Sequence, residues 1–140
     1  MGPAVLMPEI PTLVLESTDR APGFARAFVS ARLREWGISD DYTARLVVTE
    51  LVANAWMHGD GPIVVRVIQD EEAGAVVIEV WDGGEGRPFV RHADCGDTNG
   101  RGLLLVSRLA IAWGIRPLLE RGKITWVKCA VSATERSGTS

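Results

Sequence analysis

Cysteine is scarce in this chain: Cys95 and Cys129 are the only two in 140 residues. Two thiols in unrelated surroundings suggest neither a disulfide framework nor a zinc knuckle, so a reducing, cytoplasmic setting is expected. A basic surplus is missing as well. Fifteen Lys and Arg against eighteen Asp and Glu leave a formal net charge of -3. That balance argues against a general nucleic-acid binder, whose surface is normally basic. No apolar run approaches the length of a membrane span. The first ten residues lack a basic segment and contain Pro3 and Pro8, which excludes the pattern of a signal peptide. No internal repeat is visible. Neither a Gly-x-x-x-x-Gly-Lys-Ser/Thr loop nor a dinucleotide fingerprint occurs.

What remains is the composition of one globular domain with a real core. Its expected extent is 12–131, with flexible ends at 1–11 and 132–140. Thr12 to Glu16 reads as a short strand. Asp19 and Pro22 suit the start of a first helix. Phe24, Ala27, Phe28 and Ala31 recur at helical spacing up to a stop at Gly37. A second helix is expected from a Ser39 cap, with Asp40 and Asp41 in its first turn, to His58. Its core face is Ala44, Val47, Val48, Leu51, Val52 and Ala55. Arg45 and Thr49 face water, and Glu50, Asn54 and His58 fall on the edge between the two. Pro62–Gln69 and Ala75–Trp81 read as an antiparallel hairpin rich in Val and Ile. Asp82 to Arg101 is a long, polar, glycine-bearing loop, a kind that is usually functional or mobile. Gly102 then opens a third helix, Leu103 to Ala112. Trp113–Leu119 and Lys123–Val131 form a last hairpin. The order β-α-α-β-β-α-β-β predicts an α/β (α+β) sandwich, with three helices on one face of a mixed, mostly antiparallel sheet.

Three short runs carry chemistry. In Glu50-Leu51-Val52-Ala53-Asn54-Ala55, Glu50 and Asn54 are four residues apart, so on a helix they stand about 40° apart around the axis, one turn apart along it. A carboxylate there can act as a general base, and an amide can hold a hard cation that already carries phosphate oxygens and water. The pair alone also fits two polar residues on an exposed face. His58, one turn further on, suits a helix C-terminus through the dipole. In Asp82-Gly83-Gly84-Glu85-Gly86, a carboxylate at a strand end can accept a hydrogen bond from an exocyclic amine such as adenine N6. Gly84 and Gly86 let backbone approach a ring closely. An ordinary Asp-Gly turn is the alternative. In Gly100-Arg101-Gly102-Leu103, free amides at a helix start suit phosphates, and Arg101 can reach a terminal phosphate with two parallel hydrogen bonds. A glycine-capped loop is the alternative there. His92, Asp94 and Cys95 lack a second ligand pair, which argues against a structural metal.

Taken together, these runs resemble the N box and the two glycine boxes of the GHKL ATPase superfamily, which includes gyrase, the heat-shock chaperone, mismatch-repair ATPases and histidine kinases. The resemblance spans Thr12 to Val131. The short length, the Trp81-Asp82 pair and the run Gly100 to Val106 look most like the anti-sigma-factor serine kinases. The resemblance implies a Bergerat fold with ATP between the second helix and the sheet. It assigns Asn54 to Mg2+, Asp82 to adenine and Glu50 to the general base. Gly84 and Gly86 would lie near the base, and Gly100, Arg101, Gly102 and Leu103 near the phosphates. His58 and Thr125 complete the expected ATP-binding set. The implied partners are a sigma factor, held away from RNA polymerase, and a STAS-type anti-anti-sigma protein phosphorylated on serine. Neither nucleic acid nor membrane is an expected partner. A homodimer through Phe24, Phe28 and Trp36 is a further expectation.

The sequence departs from that family at two places. Where the family has a Thr after Gly-Lys on the last hairpin, Ile124 follows Gly122-Lys123, and Thr125 comes one residue later. Adjacent strand residues face opposite sides, so Thr125 replaces the family Thr only with a change of register. Cys95 falls in the loop, where the family has no need of it. A histidine kinase also requires a phosphoacceptor His on a preceding helical hairpin, which is not expected in the short segment upstream of Thr12. Two functions stay open at this point: a serine kinase and anti-sigma switch, or a nucleotide-binding module that acts by sequestration alone.

Overall fold

The computed structural model describes residues 10–84 and 98–131, with the backbone alone for 98–103. Along the chain come β1 (Thr12–Leu15), α1 (Ala21–Glu35), α2 (Tyr42–His58), β2 (Ile63–Asp70), β3 (Ala75–Asp82), α3 (Thr98–Leu109), β4 (Ala112–Pro117) and β5 (Lys123–Ala130). This is the expected element order. The strands form one sheet in the order β1-β2-β3-β5-β4. Every pairing among them is antiparallel, so the expected mixed sheet carries no parallel pair.

Alternation builds the core. Ile63, Val65 and Val67 of β2, Val76, Ile78 and Val80 of β3, and Val127 and Cys129 of β5 are buried on one face, as a period of two requires. The helices cover that face. From α2 come Ala44, Val47, Val48, Leu51, Val52 and Ala55, all buried, and this is the face the sequence pattern predicts. From α3, Val106 joins the same cluster. Cys129 lies inside it, and burial pushes its thiol up to about 11, leaving a small hydrophobe in place of a reactive group.

On α1 the buried stripe differs from the expectation. It consists of Ala21, Ala25, Val29 and Leu33. Phe24 is 58% exposed, while Phe28 and Trp36 pack partly against the core. Small residues at four-residue spacing let α1 lie close to α2, and the large aromatics are turned to the rim. The helix ends as predicted, in a Schellman turn. Gly37 takes φ +76, its N–H reaches Arg34 O at 3.0 Å, and Ile38 N–H reaches Leu33 O at 2.9 Å. Ile38 and Leu33, both buried, supply the hydrophobic contact that accompanies this motif.

Helix starts were the weaker expectation. Arg20, not Asp19, is the N-cap of α1, and no side chain caps it. α2 begins at Tyr42, beyond Asp40 and Asp41. The Asp41 carboxylate instead accepts a 2.6 Å hydrogen bond from Ser30 Oγ of α1, and a side chain committed across the helix pair is unavailable as a cap. Thr49 is half-buried rather than solvent-facing, because its hydroxyl accepts from Arg26 of α1 at 3.1 Å. α3 runs from Thr98 to Leu109, earlier at both ends than expected. The sheet ends it: Ile111 N–H donates to Lys128 O at 2.7 Å, and Ala112 is already in β4.

Among the described residues, no helix is long and apolar enough to cross a membrane. Residues 85–97, including Gly86 and Cys95, lie outside the described residues, as do 1–9 and 132–140.

Candidate functional site

β3 ends on a charge. Val76, Ile78 and Val80 set the inward parity, and Asp82 continues it, so its carboxylate is delivered to the helix side of the sheet at only 3% exposure. A buried carboxylate needs partners. Its Oδ1 accepts from Gly84 N–H at 2.8 Å and from Lys123 Nζ at 2.9 Å. Lys123 is the residue directly across from Asp82 in the β3–β5 ladder and is itself 7% exposed. The result is an ion pair almost closed off from water at the sheet's end.

The end of α2 closes on this carboxylate. Gly59 N–H caps Ala55 O at 2.9 Å. Its φ of -93 is one that any residue adopts, so conformation does not require glycine here. Space does: a Cβ on Gly59 would stand 2.6 Å from Ala55 O and 2.6 Å from both Cγ and Oδ1 of Asp82. Gly84 is confined less tightly, its Cβ position lying 3.0 Å from Gly59 Cα and 3.1 Å from Asp82 Oδ1. Gly59→Ala is therefore expected to push the Asp82 carboxylate aside. Overpacking of this kind costs about 1–3 kcal/mol. A lower denaturant midpoint together with weakened nucleotide affinity would bear this out; an unchanged affinity would show that Asp82 does not touch the ligand.

Three loops are fastened around the pair. Gly83 N–H donates to Asp60 O at 2.8 Å. Arg121, from the β4–β5 turn, donates through Nε to Gly83 O at 3.2 Å and through Nη2 to Asp60 Oδ2 at 2.6 Å. Gly122 permits this turn with φ +87, and its Cβ would collide with Asp82 O. The Arg121–Asp60 pair is largely exposed. Its contribution is the position of the loops rather than stability.

The second helix carries the edge on which the candidate base and cation ligand were expected. Glu50 and Asn54 are half-buried, between the core face and the exposed one, and His58 is exposed as the last residue of the helix. α2 packs against β3, whose end carries Asp82. Burial raises the Glu50 carboxyl above its ordinary value, which moves it toward the range useful to a base at neutral pH. Among the described residues, no group of three or more His, Cys, Asp or Glu could hold a metal. A cation at Asn54 would therefore take most of its ligands from phosphate and water, as Mg2+ commonly does.

α3 contributes backbone. The first four amides of a helix have no partner inside it. With the helix starting at Thr98, the amide of Gly100 belongs to that set, while Arg101, Gly102 and Leu103 lie further in. Side chains at 98–103 are outside the described residues, so the expected Arg101–phosphate contact is as well.

Thr125 is on the correct face. It is buried on the helix side with Asp82 and Lys123, whereas Ile124 is paired with Trp81 on the other side. Yet Thr125 stands across from Val80, and among the described residues Asp82 receives its hydrogen bonds from Gly84 and Lys123. Lys123, Gly59, Asp60 and Arg121 were not expected from the sequence. The place of Lys123 follows from the β3–β5 ladder, a pairing of strands separated by α3 and β4 that local sequence does not disclose. A cavity of about 180 Å³ on the sheet's other face is lined by Val64, Arg66, Glu79, Trp81 and Ile124, and Asp82 is not among them.

Comparison with known families agrees with this geometry. The model of the histidine kinase-like ATPase domain matches residues 15–128, most of the chain, and the chain belongs to that family of ATP-binding domains. Its α+β architecture is that of the Bergerat fold. No curated protein matches the chain.

Proposed function

We propose that this histidine kinase-like ATPase domain is an anti-sigma regulatory kinase: it binds magnesium-ATP between α2 and the sheet, transfers phosphate to a serine of a STAS-type anti-anti-sigma partner, and otherwise holds a sigma factor away from RNA polymerase. One observation carries the chemical part. Glu50, its carboxyl raised by burial, sits one helical turn before Asn54 on the helix that packs against the strand of Asp82.

The residues present fit the nucleotide and its cation. Asp82 offers an acceptor at the sheet's end, Asn54 a neutral oxygen ligand, and the first turn of α3 unpaired amides. Magnesium, when bound, neutralises phosphate charge and orients the transferring group. The protein's own contribution is positional and basic. Asp82 fixes the base by accepting from its exocyclic amine. The α3 amides hold phosphate oxygens. Glu50 takes the proton from the attacking serine hydroxyl, which calls for hydrogen-bond reach of Oε to that oxygen.

Nucleotide binding is expected to appear as a rise in melting temperature. A ligand at about 100 times its dissociation constant adds roughly 2.7 kcal/mol. Magnesium with ATP or ADP at millimolar concentration tests this, and no shift with either would overturn the site. Phosphotransfer is tested by mixing the protein, labelled ATP and each anti-anti-sigma candidate of the same organism. Labelling of a serine supports the kinase. Sigma binding with every candidate unlabelled would leave the sequestration module instead.

A further inference from the structure

We propose that the cavity on the sheet face away from the helices docks an acidic peptide segment of a protein partner. A large apolar side chain of that segment enters against Trp81 and Ile124, and a neighbouring carboxylate pairs with Arg66 and Arg116. The proposal is independent of the nucleotide reading, since neither Asp82 nor any residue of α2 lines this cavity.

The alternation that sends Val80 and Asp82 inward sends Glu79 and Trp81 outward. The β2–β3 and β3–β5 ladders then set Val64 and Ile124 on either side of Trp81, and Arg66 across from Glu79. Arg116 of β4 stands across from Ile124. Val64, Arg66, Glu79, Trp81 and Ile124 together line about 180 Å³. One wall is set by the β4–β5 turn: a Cβ on Gly122 would stand 2.9 Å from Trp81 Nε1, so the indole rests against bare backbone there. Val14, across from Val64 in β1 and 66% exposed, extends the apolar surface beyond the cavity.

The charges on this face do not balance. Glu79 serves two arginines at once, with Oε1 3.5 Å from Arg66 Nε and Oε2 3.9 Å from Arg116 Nη2. Arg66 Nε has no hydrogen-bond partner among the described residues, and 3.9 Å is beyond hydrogen-bond reach. Glu79 therefore leaves the donors of both guanidiniums unspent. The neighbouring pair, Lys128 with Asp70 at 2.9 Å, is complete in itself. One cation is thus in excess beside the cavity. The Arg66 and Arg116 side chains are 38% and 56% exposed, so an incoming carboxylate can reach them. Such a carboxylate balances the charge and meets the donor fork that suits it.

Size selects the kind of ligand. Small-molecule sites usually occupy roughly 300–1,000 Å³. A cavity of about 180 Å³ takes one side chain rather than a cofactor. An apolar anchor next to an acid is the chemistry of a peptide, whose remaining residues lie along the open sheet. A second copy of this chain fits less well, because it brings its own surplus arginine to this one.

NMR titration of the isotope-labelled full chain with three end-capped peptides, Glu-Phe-Glu-Leu, Gln-Phe-Gln-Leu and Lys-Phe-Lys-Leu, tests the proposal. The acidic peptide is expected to move the amide signals of Val64, Trp81 and Ile124 and to bind about ten-fold more tightly than the neutral one. A protein of net charge -3 repels an acidic peptide on average, so this preference reports the local arginines. Arg66→Gln should lose most of the preference while folding normally, since exposed ion pairs contribute little to stability. No movement of these signals with the acidic peptide overturns the proposal. Equal or tighter binding of the neutral or basic peptide overturns it as well, as does a folded Arg66→Gln protein with an unchanged preference. Should that variant fail to fold, the comparison of peptides on wild-type protein decides alone. Signals of Trp81 and Ile124 that move with protein concentration, without peptide, assign the face to a second copy and overturn the proposal.

Discussion

Asp82→Ala is expected to destabilise the domain by about 3–5 kcal/mol and to abolish nucleotide binding, because it strands the Lys123 ammonium in a nearly water-free position. For a domain of this size that corresponds to a fall in melting temperature of roughly 10–20 °C. Stability and binding can be separated. Replacing both members of a buried ion pair by apolar groups of similar volume is often neutral or stabilising, whereas removing one is costly. Asp82→Leu combined with Lys123→Met should therefore recover most of the lost stability and none of the binding. Urea denaturation and an ATP-dependent melting shift, measured on the single and double variants, check both halves. If the double variant still shows the wild-type shift with ATP, Asp82 does not hold the base. If Asp82→Ala melts like wild type, the ion pair is absent in solution.

The double-variant design depends on a feature that the sequence disclosed only by half. Asp82 was legible: it extends the inward series Val76, Ile78, Val80 and stands before two glycines, and both signals are local. The core face of α2 was legible for the same reason, since a run at 3.6-residue period identifies itself. Lys123 was not. Isolated lysines are almost always exposed, and its burial follows from pairing β5 with β3 in a register that places it across from Asp82. Gly59 was legible as the helix stop, since α2 ends at His58, but not as part of the site: its backbone angles are ordinary, and glycine is needed there because of a carboxylate brought from the end of β3. The helix starts failed on similar grounds. Asp41 looks like part of a first turn, yet its side chain is spent on Ser30 of the neighbouring helix. In each case the deciding partner is remote in sequence, and local patterns carry no information about it.

The chemistry is expected to rest on Glu50. Glu50→Gln keeps the size and half-buried position of the side chain but removes the base, and loss of a general base typically costs about 10²–10⁴-fold in rate. ATP binding should persist, since Asp82 and the α3 amides are untouched. Asn54→Ala, in contrast, should lose the magnesium-dependent part of binding and activity together. Burial raises the Glu50 carboxyl, so wild-type transfer should decline in acid with an inflection above the ordinary glutamate value. The same shift has a stability sign. Between the unfolded and the raised folded pKa, the native state holds the extra proton, so the contribution of Glu50 is most favourable below the unfolded value and is lost as pH rises through the folded one. Glu50→Gln should thus be nearly neutral for stability in acid and stabilising at neutral pH, while inactive as a kinase at both. A base held in a costly environment gives that opposition of stability and activity; an ordinary surface glutamate gives neither effect. Single-turnover labelling of the serine-bearing partner, paired with urea midpoints across pH, measures the two together. If Glu50→Gln transfers phosphate at the wild-type rate, Glu50 is not the base.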